Sequence, residues 1–139
     1  MIIKSLYELG EIITNNILYG YNLYHVYDFV SAYPGHDLTL QNTVPLYKNN
    51  VIQMNLLCLD ENQSIELSQY SKKGVLVKVL SGCVEEEVYK RDIGEMYSDF
   101  ELYENDCSFI SKHHIVKYNG IQPSFLLLIF SAQDSTIHR

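Results

Sequence analysis

The residue whose position best suits chemistry is a glutamate in the middle of a predicted strand. In the segment Cys83–Tyr89, the side chains of Val84, Glu86 and Val88 fall on one face, because successive residues of a strand alternate. A buried carboxylate is costly unless it is paired, so an inward-facing Glu86 is a candidate functional residue. The alternative, which we favour, is a twisted edge strand on which Glu86 is solvated.

Two neighbouring histidines, His113 and His114, are also suited to acid–base or metal chemistry. Adjacent residues of a strand face opposite sides, so at most one of them points into the fold. An exposed His113 and a His114 that only forms hydrogen bonds inside the fold are favoured over metal ligation. The sequence has no GxSxG or HExxH motif and no glycine-rich phosphate-binding motif.

The three cysteines, Cys58, Cys83 and Cys107, are an odd number and form no CxxC pair. This argues against a disulfide framework and against a structural zinc site. We expect buried free thiols in a protein of a reducing compartment. Glu8 and Glu11 interrupt the apolar residues near the N-terminus, so no signal peptide is predicted and the expected location is cytoplasmic.

The composition indicates one globular domain. The chain has 139 residues, of which 47% are hydrophobic and 19% are charged, a balance typical of a folded core. The net charge of −7 would repel a phosphate backbone, so nucleic acid is not an expected partner. The longest apolar run, Phe125–Phe130, is far shorter than the ~20 residues that span a bilayer, so no membrane association is expected.

Two helices are predicted at the start of the chain. Residues 4–19 carry leucine and isoleucine at helical spacing, with a capping box that begins at Ser5 and a terminating Gly20. A second helix has Asn22 as its N-cap and stops at the Tyr-Pro-Gly sequence of residues 33–35. Each helix has a single apolar stripe, so both must pack against a larger element.

From residue 39 the pattern changes to alternating segments that are rich in β-branched residues and separated by polar turns. A series of eight or nine short strands is typical of an antiparallel sandwich or barrel. The predicted strands are 42–47, 51–59, 63–69, 74–81, 83–90, 99–103, 107–111, 114–118 and 124–132. The prediction is one domain, 1–139, with a helical segment 1–37, a β-barrel 38–132 and a polar tail 133–139.

One predicted strand indicates which side faces the interior of the barrel. Val75, Val77 and Val79 point to one side of this strand, and Lys78 points to the other. We expect the Lys78 ammonium group to need solvent. The valine face is therefore predicted to point inward.

Several segments along nearly the whole chain share their order and spacing with one known family. These segments are Thr43–Tyr47, Asn55–Cys58, Lys78–Gly82, Glu86 with Tyr89, Glu104–Cys107 and Leu126–Ser131. In them the chain resembles the cysteine dioxygenases, which are thiol dioxygenases of the cupin superfamily. The resemblance implies a mainly β fold: a small antiparallel cupin, or jelly-roll, β-barrel with two N-terminal α-helices packed against it and a metal site at its mouth.

The resemblance also implies where iron would bind. The family holds ferrous iron with three histidines, two of them in an HxH motif between the residues that match Cys58 and Gly82. A count without gaps from either end puts Ser68 and Tyr70 at the two histidine positions. A shift of two residues offers Glu66 and Ser68 instead. Divalent iron prefers imidazole and carboxylate donors, so the resemblance implies that this ligand pair is lost.

The residues that bind the substrate and flank the iron in the family are also missing. An arginine that holds the substrate carboxylate has no counterpart in the matching residues 42–44, which are Asn-Thr-Val. The cysteine and tyrosine that many animal members cross-link beside the iron match Val75 and Phe130. The histidine that supports this tyrosine matches Leu128. The replacement of so many polar positions together indicates a lost reaction.

The leading hypothesis is a catalytically degenerate cysteine-dioxygenase-like cupin without thiol dioxygenase activity. It would act as a small-molecule-binding, regulatory or interaction module. The candidate pocket residues are Ser68, Tyr70, Val75, Glu86, His114 and Phe130. An apolar pocket with a few polar groups suits a small organic ligand, and it can equally be filled as solid core. No cofactor is expected, and iron or another divalent metal is disfavoured. A homodimer and a protein partner both remain possible.

The alternative is a cupin enzyme of different mechanism. Glu86, Tyr70 and His114 would then form the acid–base set of an isomerase or lyase. In a variant of this idea, an oxygenase holds a non-standard metal through Glu66 or Glu86 together with His114. The family's third histidine falls on Ile115, and His114 matches only after a shift of one residue. A catalytic metal normally needs three protein ligands, and this sequence hardly offers even two histidines for the site.

Overall fold

The computed structural model describes residues 2–35, 37, 46–67 and 73–132. The predictions made for Ser68, for Tyr70 and for residues 42–44 therefore lie outside the described residues, as does the predicted tail. Within the described residues, no helix is long and apolar enough to cross a membrane.

Both predicted helices are present. Helix α1 spans Leu6–Leu18, and a 3₁₀ helix, Leu23–Val26, leads directly into helix α2, Tyr27–Ala32. Gly20 follows α1 with a φ of 102°, the left-handed conformation that ends a helix at little cost when the residue is glycine. The second helical region thus begins as a tighter 3₁₀ turn, which is common at helix ends.

The N-termini of α1 and of the 3₁₀ helix are capped by side chains. The Ser5 hydroxyl accepts a hydrogen bond from the amide of Glu8 at 3.0 Å, while the Glu8 carboxylate accepts one from the amide of Lys4. The predicted capping box at Ser5 is therefore only half formed. At Asn22 the box is complete, because the Asn22 side chain accepts from the amide of His25 and His25 Nδ1 accepts from the amide of Asn22.

Nine strands follow in the described residues. They are β1 Tyr47–Lys48, β2 Ile52–Leu59, β3 Ser64–Leu67, β4 Val75–Ser81, β5 Cys83–Lys90, β6 Met96–Tyr103, β7 Cys107–Ile110, β8 His114–Gly120 and β9 Ser124–Ser131. Each lies within or overlaps one of the predicted segments. The largest difference is β6, which begins three residues before the predicted 99–103 because its extra residues continue the ladder with β5.

The strands form two antiparallel sheets. Sheet I has the order β1-β2-β9-β4-β7, and sheet II has the order β3-β8-β5-β6. Several strands that follow one another in sequence, such as β2 and β3, lie in different sheets, which is the connectivity of a jelly roll. Strands β6 and β7 are joined by a short turn, yet each is the edge of its own sheet.

Two apolar cores hold these layers together. The outer core lies between the helices and the outer face of sheet I, and its fully buried members include Leu9, Ile13, Val30, Ile52, Leu76 and Ile129. The inner core lies between the inner faces of the two sheets and includes Val75, Val77, Val79, Val84, Val116 and Leu126. The prediction that the valine face of β4 points inward is confirmed.

The expectation that Lys78 would reach solvent is wrong. The side chain is 1% exposed, because the helical layer covers the outer face of sheet I. Its ammonium group donates to the backbone carbonyl oxygens of Val30 and Ser31, at 3.1 and 3.2 Å, near the C-terminus of α2. The Val30 carbonyl also accepts from the amide of Tyr33 at 3.2 Å, so the lysine adds donors to the last carbonyls of the helix. Burial lowers the pKa of Lys78.

The expectation of buried thiols holds only in part. All three cysteines are free, but only Cys83 is buried, while Cys107 is half-buried and Cys58 is exposed. Cys58 lies near the end of β2 on the same face as Ile52 and Met54, which pack against the helices. Its exposure indicates that the helical layer does not reach this end of the strand.

Candidate functional site

The favoured expectation of a solvated Glu86 is wrong, because β5 is an interior strand of sheet II and not an edge. Tyr118 of β8 lies directly opposite Glu86 on one side, and Phe100 of β6 lies opposite it on the other. Paired residues of neighbouring strands point to the same face of a sheet. Glu86 is 3% exposed, so its carboxyl group lies between the two sheets.

Two hydroxyl groups satisfy this carboxyl group. Ser108 Oγ donates to Glu86 Oε1 at 3.0 Å, and the Tyr118 hydroxyl donates to Glu86 Oε2 at 2.7 Å. Ser108 belongs to β7 of sheet I, whereas Tyr118 belongs to β8 of sheet II. The carboxyl group therefore links the two sheets with polar contacts inside an otherwise apolar core.

The environment changes the proton affinity of Glu86. Burial raises its pKa above the ordinary value of 4.5, and the hydrogen bonds from Tyr118 and Ser108 offset only part of that rise. Desolvation disfavours the charged form, while donors to the carboxylate favour it. The result is an acid that keeps its proton to a higher pH than an exposed glutamate does, which is a property of general acids.

A cleft leads from the surface to Glu86. It has a volume of about 320 Å³, and most of its lining comes from β6 and β7, each of which is an edge strand of its sheet among the described residues. Phe100 and Tyr97, both more than 60% exposed, form part of its wall, and Ser108 and Glu86 also line it. The sheets are therefore not closed against each other on this side, and the buried carboxyl group borders an accessible space.

His114 lines the same cleft at its other end. It lies opposite Lys90 on the inner face of sheet II, four residues along β5 from Glu86, which is about 13 Å at the usual strand rise. His114 Nδ1 hydrogen-bonds with Ser111 Oγ at 3.1 Å, and its ring stacks on Tyr97 with the centroids 4.5 Å apart.

Several effects act on the proton affinity of His114. Burial, followed by the charges of His113 and Lys90, lowers its pKa. The ring is therefore neutral at neutral pH. His113 itself is exposed, so the two histidines face opposite sides as the alternation predicts.

The other predicted pocket residues form an apolar wall. Val75 and Phe130 are direct neighbours across β4 and β9, and they are 1% and 5% exposed. Leu128 packs against the same inner core. The structure thus brings Val75 and Phe130 together on the inner face of sheet I. It places Glu86 and His114 on the facing sheet.

The inner face of sheet I also carries a polar side chain that was not predicted from the sequence. Gln53 lies opposite Phe130, and its Nε2 donates to Asn55 Oδ1 at 3.0 Å. Gln53 Oε1 is buried and has no hydrogen-bond partner in the part of the chain that the structure describes. The signal was present, because the odd-numbered residues of β2 alternate with Ile52 and Met54 and must face inward.

Ser108 and Tyr118 were also missed, and no local signal identifies them. They contact Glu86 only because the strands pair across 22 and 32 residues of sequence. Neither residue stands in a recognisable motif.

One cluster of possible metal ligands lies outside the cleft. Among the described residues, Glu85, Glu87 and Asp99 are the one group of three acidic, histidine or cysteine side chains close enough to share an ion. They lie on the outer face of sheet II, where Asn119 Nδ2 donates to both Glu85 and Glu87 at 2.8 Å. This surface cluster is separate from the cleft, and its carboxylates already have a neutral donor between them.

A larger cleft, of about 540 Å³, lies outside the sheets beside the end of α1. Its lining includes Tyr21, Tyr24, Phe109 and Lys73 and, among the described residues, contains no histidine, cysteine or carboxylate. It offers fewer groups for acid–base chemistry than the cleft at Glu86. We therefore treat the Glu86 cleft as the candidate site.

Comparison with known proteins identifies the fold. No known protein family matches the sequence, and no curated protein matches it. Among solved structures, BH2720 from Bacillus halodurans aligns with a TM-score of 0.56 and 11% identity over 76% of each chain. Hydroquinone 1,2-dioxygenase from Sphingomonas sp. TTNP3, with 4-hydroxybenzoate bound, aligns with a TM-score of 0.55 and 12% identity over 68% of this chain and 67% of that one.

A Bacillus subtilis oxalate decarboxylase variant aligns with a TM-score of 0.51 and 14% identity, over 59% of this chain and 21% of that one. Identities this low show the fold and nothing about the reaction. Two of these neighbours, the dioxygenase and the decarboxylase, are enzymes. The mostly β chain, with its two antiparallel sheets and N-terminal helices, therefore shares the fold of these neighbours, and the connectivity of its strands is that of a jelly roll.

Proposed function

We propose that this chain is a cupin-fold binding module that takes a small organic ligand in the Glu86 cleft and has no thiol dioxygenase activity. The observation that carries the proposal is the cleft itself. It joins a buried carboxyl group with two hydroxyl partners to an apolar and aromatic wall, and a few converging polar groups in an apolar pocket are typical of ligand sites.

The absence of thiol dioxygenase activity is proposed on the residues that replace the chemistry of the family it resembles. Val75, Leu128 and Phe130 match the cross-linked pair and its supporting histidine, and all three belong to the inner core or pack against it. Apolar side chains there offer neither ligands to iron nor hydrogen bonds to a substrate. A cysteine-dioxygenase-like ancestry with a lost metal site accounts for this pattern.

The test combines metal analysis with an activity assay. The purified protein, incubated with ferrous iron, is expected to retain far less than one equivalent after desalting and to consume no oxygen when cysteine is supplied. A cysteine dioxygenase assayed in parallel validates both measurements. One tightly held iron per chain together with cysteine-dependent oxygen uptake would refute this part of the proposal.

Ligand binding is tested separately. A set of small organic compounds is titrated into ¹⁵N-labelled protein, and the amide signals of β6 and β7 are followed. Compounds that bind should shift the amide signals of the cleft. The Phe100→Ala variant, which removes an exposed wall residue, should bind these compounds more weakly. If no compound shifts any signal around Glu86, the binding module is refuted.

A second candidate is an acid–base enzyme. The observation that favours it is the raised pKa of Glu86 together with its 2.7 Å hydrogen bond from Tyr118. Among the described residues, Tyr118 is the tyrosine that donates to the acid, so it joins the predicted set of Glu86, Tyr70 and His114, of which Tyr70 lies outside the described residues. Turnover of a substrate that disappears in both Glu86→Gln and Tyr118→Phe would favour the enzyme over the binding module.

A further inference from the structure

Resting on the proposed ligand-binding function, we infer that the Glu86 cleft selects small aromatic amines as cations. The ammonium group of the ligand donates to the Glu86 carboxylate, and its ring lies against Tyr97 and Phe100. Four properties of the cleft support this ligand class: its charge, its free acceptor sites, its aromatic wall and its size.

The charge of the lining favours a cation. Among the described residues that line the cleft, none is a lysine or an arginine, and Glu86 is the one carboxylic acid. His114 is neutral at neutral pH. Lys90 and Arg91 line a separate depression beyond His114 together with Asp92. Lys78, whose strand neighbour Cys107 lines the cleft, directs its ammonium group to the carbonyls of α2. An anionic ligand would therefore meet the carboxylate without a compensating charge.

Within the part of the chain that the structure describes, the carboxylate also has unused acceptor sites. Its two oxygens offer about four lone-pair positions, of which Ser108 and Tyr118 occupy one each. An ammonium group supplies up to three donors and favours the ionised form of the acid next to it. A carboxylate or ether ligand has hydrogen-bond acceptors but no donors, so it leaves these lone-pair positions without a hydrogen bond.

The aromatic wall suits the rest of such a ligand. Phe100 lies directly opposite Glu86 in the sheet and is 63% exposed, so its ring is available at the mouth of the cleft. The stacked Tyr97 and His114 add a second flat surface. Aromatic faces attract both other rings and ammonium groups. The volume of about 320 Å³ is at the small end for ligand pockets, which fits a compound with one ring.

The experiment compares three probes of one size and shape that differ in charge: benzylamine, benzyl alcohol and benzoate. Each is titrated into ¹⁵N-labelled full-length protein at pH 7.5, and dissociation constants are taken from the shifts of cleft signals. Benzylamine should bind at least about tenfold more tightly than either of the other two. The preference should vanish in Glu86→Gln, which keeps the size of the side chain and removes its charge.

The matched control is Glu87→Gln. Glu87 is the next residue of the same strand, but it faces outward, where it accepts from Asn119. This variant removes the same charge from the protein and should keep the preference for benzylamine. A general attraction of cations to an acidic protein would instead weaken equally in both variants, and that result would overturn the inference.

The outcomes separate the inference from the function on which it rests. If benzyl alcohol or benzoate binds in the cleft as tightly as benzylamine, the cation selectivity is wrong and the binding module stands. If benzylamine shifts signals only outside the cleft while another probe binds inside it, the conclusion is the same. If none of the three probes shifts a cleft signal, the inference about amines fails, and the binding module is then decided by the wider compound set. The comparison of probes needs only the natural protein, so it remains decisive if Glu86→Gln does not fold.

Discussion

The Tyr118 hydroxyl donates a 2.7 Å hydrogen bond to the Glu86 carboxyl group, and both side chains are buried between two sheets of apolar residues. The pair lies side by side on β8 and β5, so the backbone ladder fixes its geometry. A rigidly held donor next to a buried acid controls both the stability of the fold and the protonation of the acid.

Tyr118→Phe should destabilise the protein at neutral pH by about 1–3 kcal/mol, because it leaves one oxygen of a buried carboxyl group without its donor. Urea denaturation at pH 7.5 measures the effect. The matched control is Tyr103→Phe, which removes a phenol that donates to Glu101 at the exposed surface and should cost no more than about 0.5 kcal/mol. Equal losses in the two variants would contradict the role given to burial.

Glu86→Gln should change how stability depends on pH. Burial raises the pKa of Glu86 in the folded state above its value in the unfolded chain. The unfolded state therefore releases this proton first as the pH rises above about 4.5, and the contribution of Glu86 to stability falls until the folded-state pKa is passed. Glutamine has no proton to release at that position.

The measurement is the unfolding free energy of variant and natural protein at several pH values between 4 and 8. The difference, variant minus natural protein, should rise with pH across the window that begins near 4.5. Titration of all other groups is common to both proteins and cancels. A difference that stays flat, or that falls with pH, would contradict a raised pKa at Glu86.

Lys78→Ala should destabilise the protein by about 2–4 kcal/mol, because it removes a fully buried side chain and two hydrogen bonds to carbonyls near the end of α2. Thermal and urea denaturation measure the loss. Lys112→Ala removes an exposed lysine from the turn before β8 and should change stability by no more than about 0.5 kcal/mol. A small effect at Lys78 would indicate that the cost of burying its charge offsets these contacts.

Gly82→Ala should destabilise the fold by about 3 kcal/mol or more. Gly82 joins β4 to β5 with a φ of 92°, and an added Cβ would lie 2.3 Å from Ser124 Oγ and 2.4 Å from the carbonyl oxygen of Pro123. Gly94→Ala is the matched control. Its φ is 68°, but no atom lies within 4 Å of the added Cβ, so only the backbone cost of about 1–2 kcal/mol is expected. Circular dichroism during urea denaturation compares the two.

The parts of this structure that were predictable from sequence are those with local causes. Strand positions follow from alternation, and the ends of the helices follow from Asn22 as a cap and Gly20 as a terminator. The inward face of β4 was predicted correctly, although the premise that Lys78 needs solvent was wrong. Even the orientation of His114 relative to His113 needs only the two-residue period of a strand.

The parts that were not predictable depend on pairing between distant segments. Lys78 was predicted to be exposed to solvent, because no feature of the sequence around it shows that two helices cover that face of sheet I. Glu86 looked like an edge residue because the strands that flank it, β6 and β8, cannot be assigned as neighbours from the sequence alone. Its partners Ser108 and Tyr118 lie 22 and 32 residues away in the chain. The site is therefore a product of topology.

The position of β6 at the edge of sheet II, as the described residues place it, has a consequence for self-association. An exposed eight-residue strand that carries Tyr97 and Phe100 is a template on which a second copy of the chain can add its own strand. Asp99 and Glu101 also belong to this strand and point outward beside the acidic residues of β5. Two such edges brought together would oppose like charges, which repel. At an ionic strength of about 1 M the screening length is about 3 Å. The repulsion that opposes self-association through β6 is then expected to disappear.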